Sequence, residues 1–322
     1  MRPQALQRLA VLALAASGCL WGTSFLFGKL ALASLDVSQV VLYRFFLASL
    51  VLLPAVILNR IRLNIHDLPL FLLTGILTVP VTFLVQFAGL KLTSAAVAAL
   101  IIGTLPALLA LAARVFFHEK LDKVGWGAIG MSSFGVLLIV GLPNSNNNWL
   151  GDGLVFLSLF AVVAWTFLGK RLAQEYSSVI ATAYIFAFGT ITLLPISLWW
   201  DGTPRLNLSA NIWLAVVILG IACSAATTVL WNWGLQHFPT PRAGLFLNLE
   251  PFVGMLLGIL VLHERISPLA LVGGALILGA AVIISLQKAP AQEPQNGNSR
   301  GYLYSKSGRL SQAGASKKKF WK

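Results

Sequence analysis

Long apolar stretches follow one another along almost the whole chain, with short polar segments between them. Each stretch has roughly 20 mostly apolar residues, the length that one helix needs to cross the hydrocarbon core of a bilayer. The pattern predicts an all-α membrane protein with ten transmembrane helices. They lie near residues 9–31, 37–58, 67–90, 94–117, 124–141, 152–172, 178–199, 211–235, 241–263 and 267–286.

The second half of the chain repeats the pattern of the first. A shift of 145 residues aligns the third, fourth and fifth stretches with the eighth, ninth and tenth, and a slightly shorter shift aligns the first two. Because five is an odd number, the two halves must cross the membrane in opposite directions. We therefore predict inverted five-helix repeats over residues 9–141 and 152–287. The matched residues are Gly75 and Gly220, Pro106 and Pro251, His118-Glu119 and His263-Glu264, Trp21 and Trp165, and Pro54 and Pro195.

Composition supports this interpretation. Of the 322 residues, 57% are hydrophobic and 10% are charged, which excludes a soluble globular domain. Residues 288–322 are polar, and those after Lys288 hold seven of the 23 Lys and Arg residues. This segment is predicted to be a disordered basic tail. Aromatic residues do not alternate with charge there, so we predict no nucleic-acid partner.

Positive charge fixes the predicted orientation. Most Lys and Arg residues outside the tail lie in segments that share one side of the membrane with the N-terminus, and the loop at residues 143–148 has none. The positive-inside rule then places both termini in the cytoplasm. The predicted location is a bacterial-type cytoplasmic membrane, which the chain crosses many times.

Several features together resemble the EamA-type drug/metabolite transporter family. They are the Trp21-Gly22-Thr23-Ser24-Phe25 opening, Arg44 early in the second helix, and the His-Glu pairs that close the fourth and ninth helices. The resemblance covers residues 9–287. It implies ten helices, cytoplasmic termini, a central substrate cavity, and transport of amino acids or other small metabolites, often outward.

Polar residues recur on one face of the third stretch. Thr74, Thr78, Thr82 and Gln86 are four residues apart, and the repeat places Thr227 and Trp231 opposite the last two. Polar side chains within hydrocarbon often mark a water-filled path, so Thr78, Thr82, Gln86, Thr227 and Trp231 are predicted to line the cavity. The alternative is that the threonine hydroxyls bond to carbonyls of their own helices.

Two tryptophans and two prolines extend this set. Trp21 and Trp165 lie well inside their stretches and are repeat mates, so we predict that they hold an amphipathic or cationic solute. The alternative for both is core packing. Pro106 and Pro251 are expected to break the fourth and ninth helices near the middle, which allows a hinge or a binding site.

The acidic residue farthest from the ends of a predicted helix is Glu250, and its repeat mate is Leu105. An ionised carboxylate in hydrocarbon is costly unless it faces water or a cation. We predict that Glu250 exchanges a proton or pairs with an amine, the alternative being a hydrogen bond to a neighbouring helix. Arg44, by contrast, is expected to reach the outer surface or pair with Asp36, and Glu264 to be exposed beside Arg265.

The predicted function is secondary transport by alternating access, with an amino acid or related amphipathic solute exported and protons as the candidate coupling ion. The alternatives are an intramembrane enzyme or a channel-like permease. Neither His-Glu pair completes the His-Glu-x-x-His pattern of metalloproteases. We therefore predict no catalytic residue, metal or cofactor. The partners are a small-molecule substrate and the bilayer, with the chain a monomer or homodimer.

Overall fold

A computed structural model describes residues 3–59, 63–117, 123–140, 148–237 and 244–286. These ranges are helical apart from short connections and contain no strand. The chain divides into residues 1–288, which hold every described helix, and residues 289–322. The predicted basic tail and most of the predicted outer loop lie outside the described residues.

Thirteen α-helices are present in the described ranges, and four π or 3-10 segments continue directly into an α-helix. The helices are α1 (Pro3–Leu32), α2 (Val37–Asn59), α3 (Leu68–Ile76), α4 (Leu84–Leu92), α5 (Ala95–Ile102), α6 (Leu105–Phe117), α7 (Lys123–Val140), α8 (Trp149–Glu175), α9 (Ser178–Asp201), α10 (Ala210–Val217), α11 (Thr227–His237), α12 (Leu249–Leu260) and α13 (Pro268–Leu286). The π segments are Leu77–Phe83 and Ile218–Ala226, and the 3-10 segments are Ile65–Asp67 and Gly244–Asn248.

Seven continuous helical stretches are long and apolar enough to cross a membrane, and three further apolar helices are shorter. The chain is therefore an all-helical, multi-pass membrane protein, while the number of ten crossings stays a prediction. The seven long stretches are Leu6–Leu32, Val37–Leu58, Ile65–Leu92, Ala95–Phe116, Trp149–Gly169, Ser178–Asp201 and Ala210–Leu235, and the shorter ones are Lys123–Ile139, Phe246–Leu260 and Pro268–Ile283.

The core and the outer surface are both apolar, as expected where lipid takes the place of water. Phe45, Leu100 and Leu219 are fully buried among the helices. Large apolar side chains such as Phe116 and Trp199 are exposed. Because exposed apolar residues of this size would face water in a soluble protein, this surface suits contact with lipid chains.

Helix α1 packs closely on the start of α12 because two glycines of α1 face it. A Cβ atom built at Gly22 would lie 2.6 Å from the carbonyl oxygen of Glu250, and one at Gly18 would meet the carbonyl oxygen of Phe246. Glycines spaced by four residues allow such backbone contact between membrane helices. This contact brings the first turn of α12 against the middle of α1.

The two ends of the bundle are closed by polar contacts. At one end, Asp36 pairs with Lys91 at 3.4 Å and with Arg205 at 3.3 Å. We call this the Asp36 end. At the other end, the Tyr176 hydroxyl donates to Asp67 at 2.7 Å and so joins the α8–α9 turn to the start of α3.

Candidate functional site

Two broken helices meet near the centre of the bundle. Helix α5 ends at Ile102 and α6 begins at Leu105, while α12 begins at Leu249 after a 3-10 segment. Both breaks lie just before a proline, because Pro106 is the second residue of α6 and Pro251 the third of α12. The structure thus places the interruptions a few residues N-terminal to the prolines themselves.

Each proline removes the helical donor for a carbonyl four residues earlier. Those carbonyls belong to Ile102 and Leu247. Both residues line a cavity of about 20 Å³ that lies between the two breaks. A cavity of this size holds about one small polar atom or water. The remaining lining residues are Gly103, Leu105, Pro106, Asn248, Glu250 and Pro251.

Glu250 lies in the first turn of α12, within a shorter apolar stretch of the chain. A carboxylate at this position interacts favourably with the positive end of the helix dipole. Across the described residues, no hydrogen bond or ion pair engages its side chain. Asn248, two residues earlier, has both side-chain polar atoms buried and without a hydrogen-bond partner in the described structure. Sequence reasoning identified Glu250 but not Asn248.

Arg44 corrects a prediction from the sequence. We expected it at the outer surface or paired with Asp36, yet its residue is only 3% exposed. Its Nε donates to the Ser224 hydroxyl at 2.7 Å, and its guanidinium carbon lies 4.6 Å from the centre of the Phe83 ring. A second, longer contact joins Nη2 to the Cys223 carbonyl at 3.5 Å. The cation is therefore in the interior, and Asp36 pairs elsewhere.

The π segment Ile218–Ala226 explains how Arg44 is held. Ser224 and Cys223 both lie in it, and Gly220, in the same segment, lets it approach α2, since a Cβ there would be 2.8 Å from the Arg44 carbonyl oxygen. A π turn shifts the register of side chains and is frequent at functional sites. The spacing of apolar residues does not predict a π turn, so the sequence did not indicate Ser224 and Cys223 as partners of Arg44.

Arg44 and Glu250 share the interior. Glu250 packs through its backbone on Gly22 of α1, and Cys223, whose carbonyl contacts Arg44, lies against Thr23, the next residue of α1. The ion pairs found among the described residues are those of Asp36. The nitrogen–oxygen distances between Arg44 and Glu250 are therefore all longer than 4.0 Å. The site therefore holds one buried cation and one carboxylate that do not touch.

Helix α1 joins the parts of this site through consecutive residues. The Trp21 ring contacts the Trp231 ring at a centroid distance of 5.4 Å. Gly22 packs on the Glu250 backbone, as described above. The Thr23 hydroxyl lies 3.3 Å from the Cys223 sulfur, next to the serine that binds Arg44. The Trp231 ring, the Glu250 backbone and the Cys223 sulfur therefore all contact one segment of α1.

The predicted tryptophan pair differs from the observed ring contact. Trp21 and Trp165 were expected to act together, but the ring that lies against Trp21 is that of Trp231 on α11. Trp165 lies on α8, and its indole nitrogen is buried without a hydrogen-bond partner in the described part of the chain. Trp21 and Trp231 were both predicted cavity residues, and the structure brings these two together.

The threonine stripe is buried and its hydroxyls serve their own helices. Thr78 donates to the Thr74 carbonyl and Thr82 to the Leu77 carbonyl, both at 2.7 Å. Thr227 donates to the Ser224 carbonyl at 3.1 Å. These are the back-bonded arrangements that formed the alternative interpretation. Gln86 is only partly buried, and its side-chain amide makes no hydrogen bond to another described residue.

Glu264 also differs from its predicted exposed pairing. Its two carboxylate oxygens accept hydrogen bonds from the backbone N–H groups of Ala95 and Ala96, at 2.8 and 2.9 Å. A carboxylate at a helix N-terminus satisfies free donors and interacts favourably with the helix dipole. Glu264 therefore fastens the connection after α12 to the start of α5. Glu119, its repeat mate, lies outside the described residues.

A larger cavity of about 300 Å³ lies between α6, α7 and α8. It is apolar except for a few hydroxyls, those of Thr104, Ser132 and Ser133. No charged side chain lines it among the described residues, and neither Arg44 nor Glu250 reaches it. The cavity therefore lacks the features that make the centre of the bundle a candidate site.

Comparison with known proteins gives a consistent result. The model of the EamA-like transporter family matches residues 8–141 and 149–286. An uncharacterized transporter of Archaeoglobus fulgidus is 27% identical over 287 residues, covering 86% of this chain and 97% of its own. An inner membrane protein of Escherichia coli is 25% identical, covering 85% of this chain and 94% of its own.

Two further similarities bear on function and fold. A probable terminal-alkyne amino-acid exporter of Streptantibioticus cattleyicolor is 26% identical, covering 86% of this chain and 93% of its own length. A protein crystal structure matches with a TM-score of 0.61 at 20% identity, covering 85% of this chain and 95% of that one. At this identity the structural match shows a shared fold and nothing more.

Proposed function

Because the chain belongs to the EamA-like transporter family, we propose that it is a secondary transporter that exports a small metabolite by alternating access. The solute is an amino acid or a related amphipathic molecule, and the membrane is a cytoplasmic membrane. One observation carries the proposal: Arg44 is buried, Glu250 lies at a helix break beside the same segment of α1, and neither has an ion-pair partner among the described residues. Buried charges that are not neutralised by each other mark a solute or ion path.

The architecture that we propose is ten transmembrane helices in two inverted repeats, at residues 9–141 and 152–287. Helix packing supports it. Helix α4 packs on α8 and α1 packs on α11, while α2 packs on α9 and α7 on α13. The repeat pairs α1 with α8, α2 with α9, α4 with α11 and α7 with α13. Exchanging the halves therefore turns the α4–α8 contact into the α1–α11 contact. It leaves the α2–α9 and α7–α13 contacts unchanged, as a two-fold relation requires. With both termini in the cytoplasm, the Asp36 end faces outward.

Glu250 is the residue that we propose for coupling to protons. It can hold a proton in one state and a cation in the other, and its position at a helix break allows its surroundings to change with the helix angle. An intramembrane enzyme is disfavoured because the central polar groups of the described residues do not include a nucleophile hydrogen-bonded to a base. A channel would let the solute cross the membrane without the counterflow exchange of solute that a carrier shows.

Reconstituted protein in proteoliposomes tests the function. A carrier gives counterflow of labelled amino acid, whereas a channel does not. Glu250→Gln should abolish transport driven by a pH gradient and retain exchange, and Glu175→Gln is the matched control because Glu175 is exposed at the end of α8. Unchanged gradient-driven transport by Glu250→Gln, with the pH profile of the parent, would contradict proton coupling.

A further inference from the structure

The small cavity between the two helix breaks lies at the C-terminal end of α5. Ile102 is the last residue of this helix, and both Ile102 and Gly103 line the cavity of about 20 Å³. The N–H groups of the following turn donate to carbonyls as far as that of Ile101, and Pro106 has no N–H for the carbonyl of Ile102. The last carbonyls of a helix carry partial negative charge. This side of the cavity therefore favours a cation.

Two polar side chains line the same cavity from the start of α12. They are Asn248 and Glu250. Both polar atoms of the Asn248 amide are buried without a hydrogen-bond partner in the described structure, and no described residue forms a hydrogen bond or an ion pair with the Glu250 carboxylate. Buried polar groups without partners are uncommon in folded proteins. Both side chains are therefore available to bind a ligand in the cavity.

The chemistry of the lining selects the kind of ligand. A cavity of this volume holds about one water-sized group. The polar groups around it are carboxylate, amide and carbonyl oxygens, which are the ligands of hard metal cations. One carboxylate balances one positive charge, so the charge of the site fits a monovalent ion better than a divalent one. A water molecule would leave the charge of an ionised carboxylate uncompensated, which is costly in a buried site.

Basic side chains do not occupy this position among the described residues that pack on α12. The helix packs mainly on α1, α5 and the preceding 3-10 segment, and the last two contain no ionisable residue. The basic residues of α1 are Arg8 and Lys29. They lie 14 and seven residues from Gly22, which contacts the Glu250 backbone, or about 21 and about 10 Å along the helix. Arg44 binds the π segment instead.

From this arrangement we infer that the cavity between the helix breaks binds a sodium ion. The Glu250 carboxylate, the Asn248 amide oxygen and the backbone carbonyls at the breaks are its ligands. Unwound backbone and the carbonyl ends of broken helices coordinate Na⁺ in several transporter folds. The ion is the cation that Glu250 holds in one of its two proposed states. Its use for coupling rests on the proposed transporter function, whereas its binding does not.

The internal repeat places this site between matching residues of the two halves. The 145-residue shift pairs all eight lining residues with one another. In the proposed inverted architecture, a cavity lined by such pairs lies on the two-fold axis near the middle of the membrane, where coupling ions bind in inverted-repeat transporters. The second half contributes both polar side chains, in place of a glycine and a leucine. The pairs are Ile102 and Leu247, Gly103 and Asn248, Leu105 and Glu250, and Pro106 and Pro251.

Binding of radioactive Na⁺ to the purified full chain tests the inference. The ion replaces choline at constant ionic strength and constant pH, so that protonation of the buffer and protein is the same throughout. We expect saturable binding of one Na⁺ per chain. Glu250→Gln should lower the affinity at least about tenfold, because an ionised ligand contributes more than a neutral one. Glu175→Gln is the control and should bind like the parent, since Glu175 is exposed at the end of α8.

A second position separates the amide from the charge. Asn248→Ala removes the amide oxygen and should weaken Na⁺ binding about two- to tenfold. Asn211→Ala is its control, because Asn211 is exposed in the first turn of α10. Thermal melting of each variant shows whether it is folded. If Glu250→Gln does not fold, Glu250→Asp, which keeps the charge on a shorter side chain, should still weaken binding.

Two results would overturn the inference. One is the absence of saturable Na⁺ binding to the parent protein, which would assign the cavity to water or a proton. The other is parental affinity in every folded Glu250 and Asn248 variant, which would place the ion elsewhere. Counterflow of labelled amino acid separates the two proposals: counterflow by a protein that binds no Na⁺ refutes the ion site alone, whereas Na⁺ binding without any counterflow refutes the transporter function alone.

Discussion

Replacing Gly22 by alanine perturbs the contact that positions Glu250. The added methyl carbon would lie 2.6 Å from the Glu250 carbonyl oxygen and 2.7 Å from the Val253 Cβ atom. Ordinary van der Waals contact begins at 3.4 Å, so α1 and α12 must separate by about 0.8 Å. Backbone atoms cannot give way as a flexible side chain can, so the whole first turn of α12 must move.

The energetic cost follows from two opposing effects. Overpacking of a well-packed contact costs about 1–3 kcal/mol, while replacing glycine by alanine within a helix contributes about 0.5–1 kcal/mol of stabilisation. We expect Gly22→Ala to destabilise the protein by about 1–2 kcal/mol. Because Glu250 moves with the turn, amino-acid affinity should also fall.

Gly153→Ala provides the matched control. Gly153 lies within α8, and a Cβ atom there would meet nothing within 4 Å. Melting of both variants in the same detergent, followed by calorimetric titration with amino acid, separates the steric effect from helix propensity. A Gly22→Ala protein that melts and binds like the parent would refute the reasoning, because it would show that α12 is not held at this contact.

Other contacts give further predictions. Leucine at either Trp21 or Trp231 keeps bulk but removes the indole, so amino-acid affinity measured by calorimetry should weaken by about 1–2 kcal/mol, and parental affinity in both variants would assign the pair to core packing. Glu264→Ala removes the carboxylate at the start of α5 and should lower stability to thermal melting by about 0.5–2 kcal/mol, with Glu175→Ala as an exposed control that should have little effect. Truncation after Lys288 should leave counterflow intact, because residues beyond it have too little apolar surface to join the core; loss of counterflow in well-inserted protein would show that the tail takes part.

The sequence predicted the helical membrane fold because long apolar stretches have a simple physical requirement. It also offered Trp21 and Glu250 as candidates, since large or charged polar groups far from the ends of an apolar stretch need a reason to be there. Trp231 was a candidate because the repeat places it opposite Gln86, and the role of all three in a site stays a prediction. The prolines indicated the two breaks, although each helix is interrupted before the proline itself, because the proline ring clashes with the carbonyl four residues earlier and offers it no donor.

Other parts of the site depend on information that a sequence does not display. Arg44 lies close enough to the start of α2 to suit a snorkelling side chain, and its actual partner Ser224 is far away along the chain. The π turn that presents Ser224 follows no pattern of apolar spacing. The threonines were predicted to line the cavity and are bonded to their own helices, because spacing predicts a face but not the acceptor that each hydroxyl bonds to.

The position of Cys223 allows its thiol to report when the centre of the bundle opens. The protein has two cysteines, Cys19 and Cys223, and the second lies between Thr23 and the Arg44 site, fully buried. With Cys19 replaced by serine, one thiol remains, and a membrane-permeant maleimide can reach it only when the helices around it separate. The labelling rate then records how often the centre of the bundle opens, and its decrease on adding an amino acid records occupancy without any transported label.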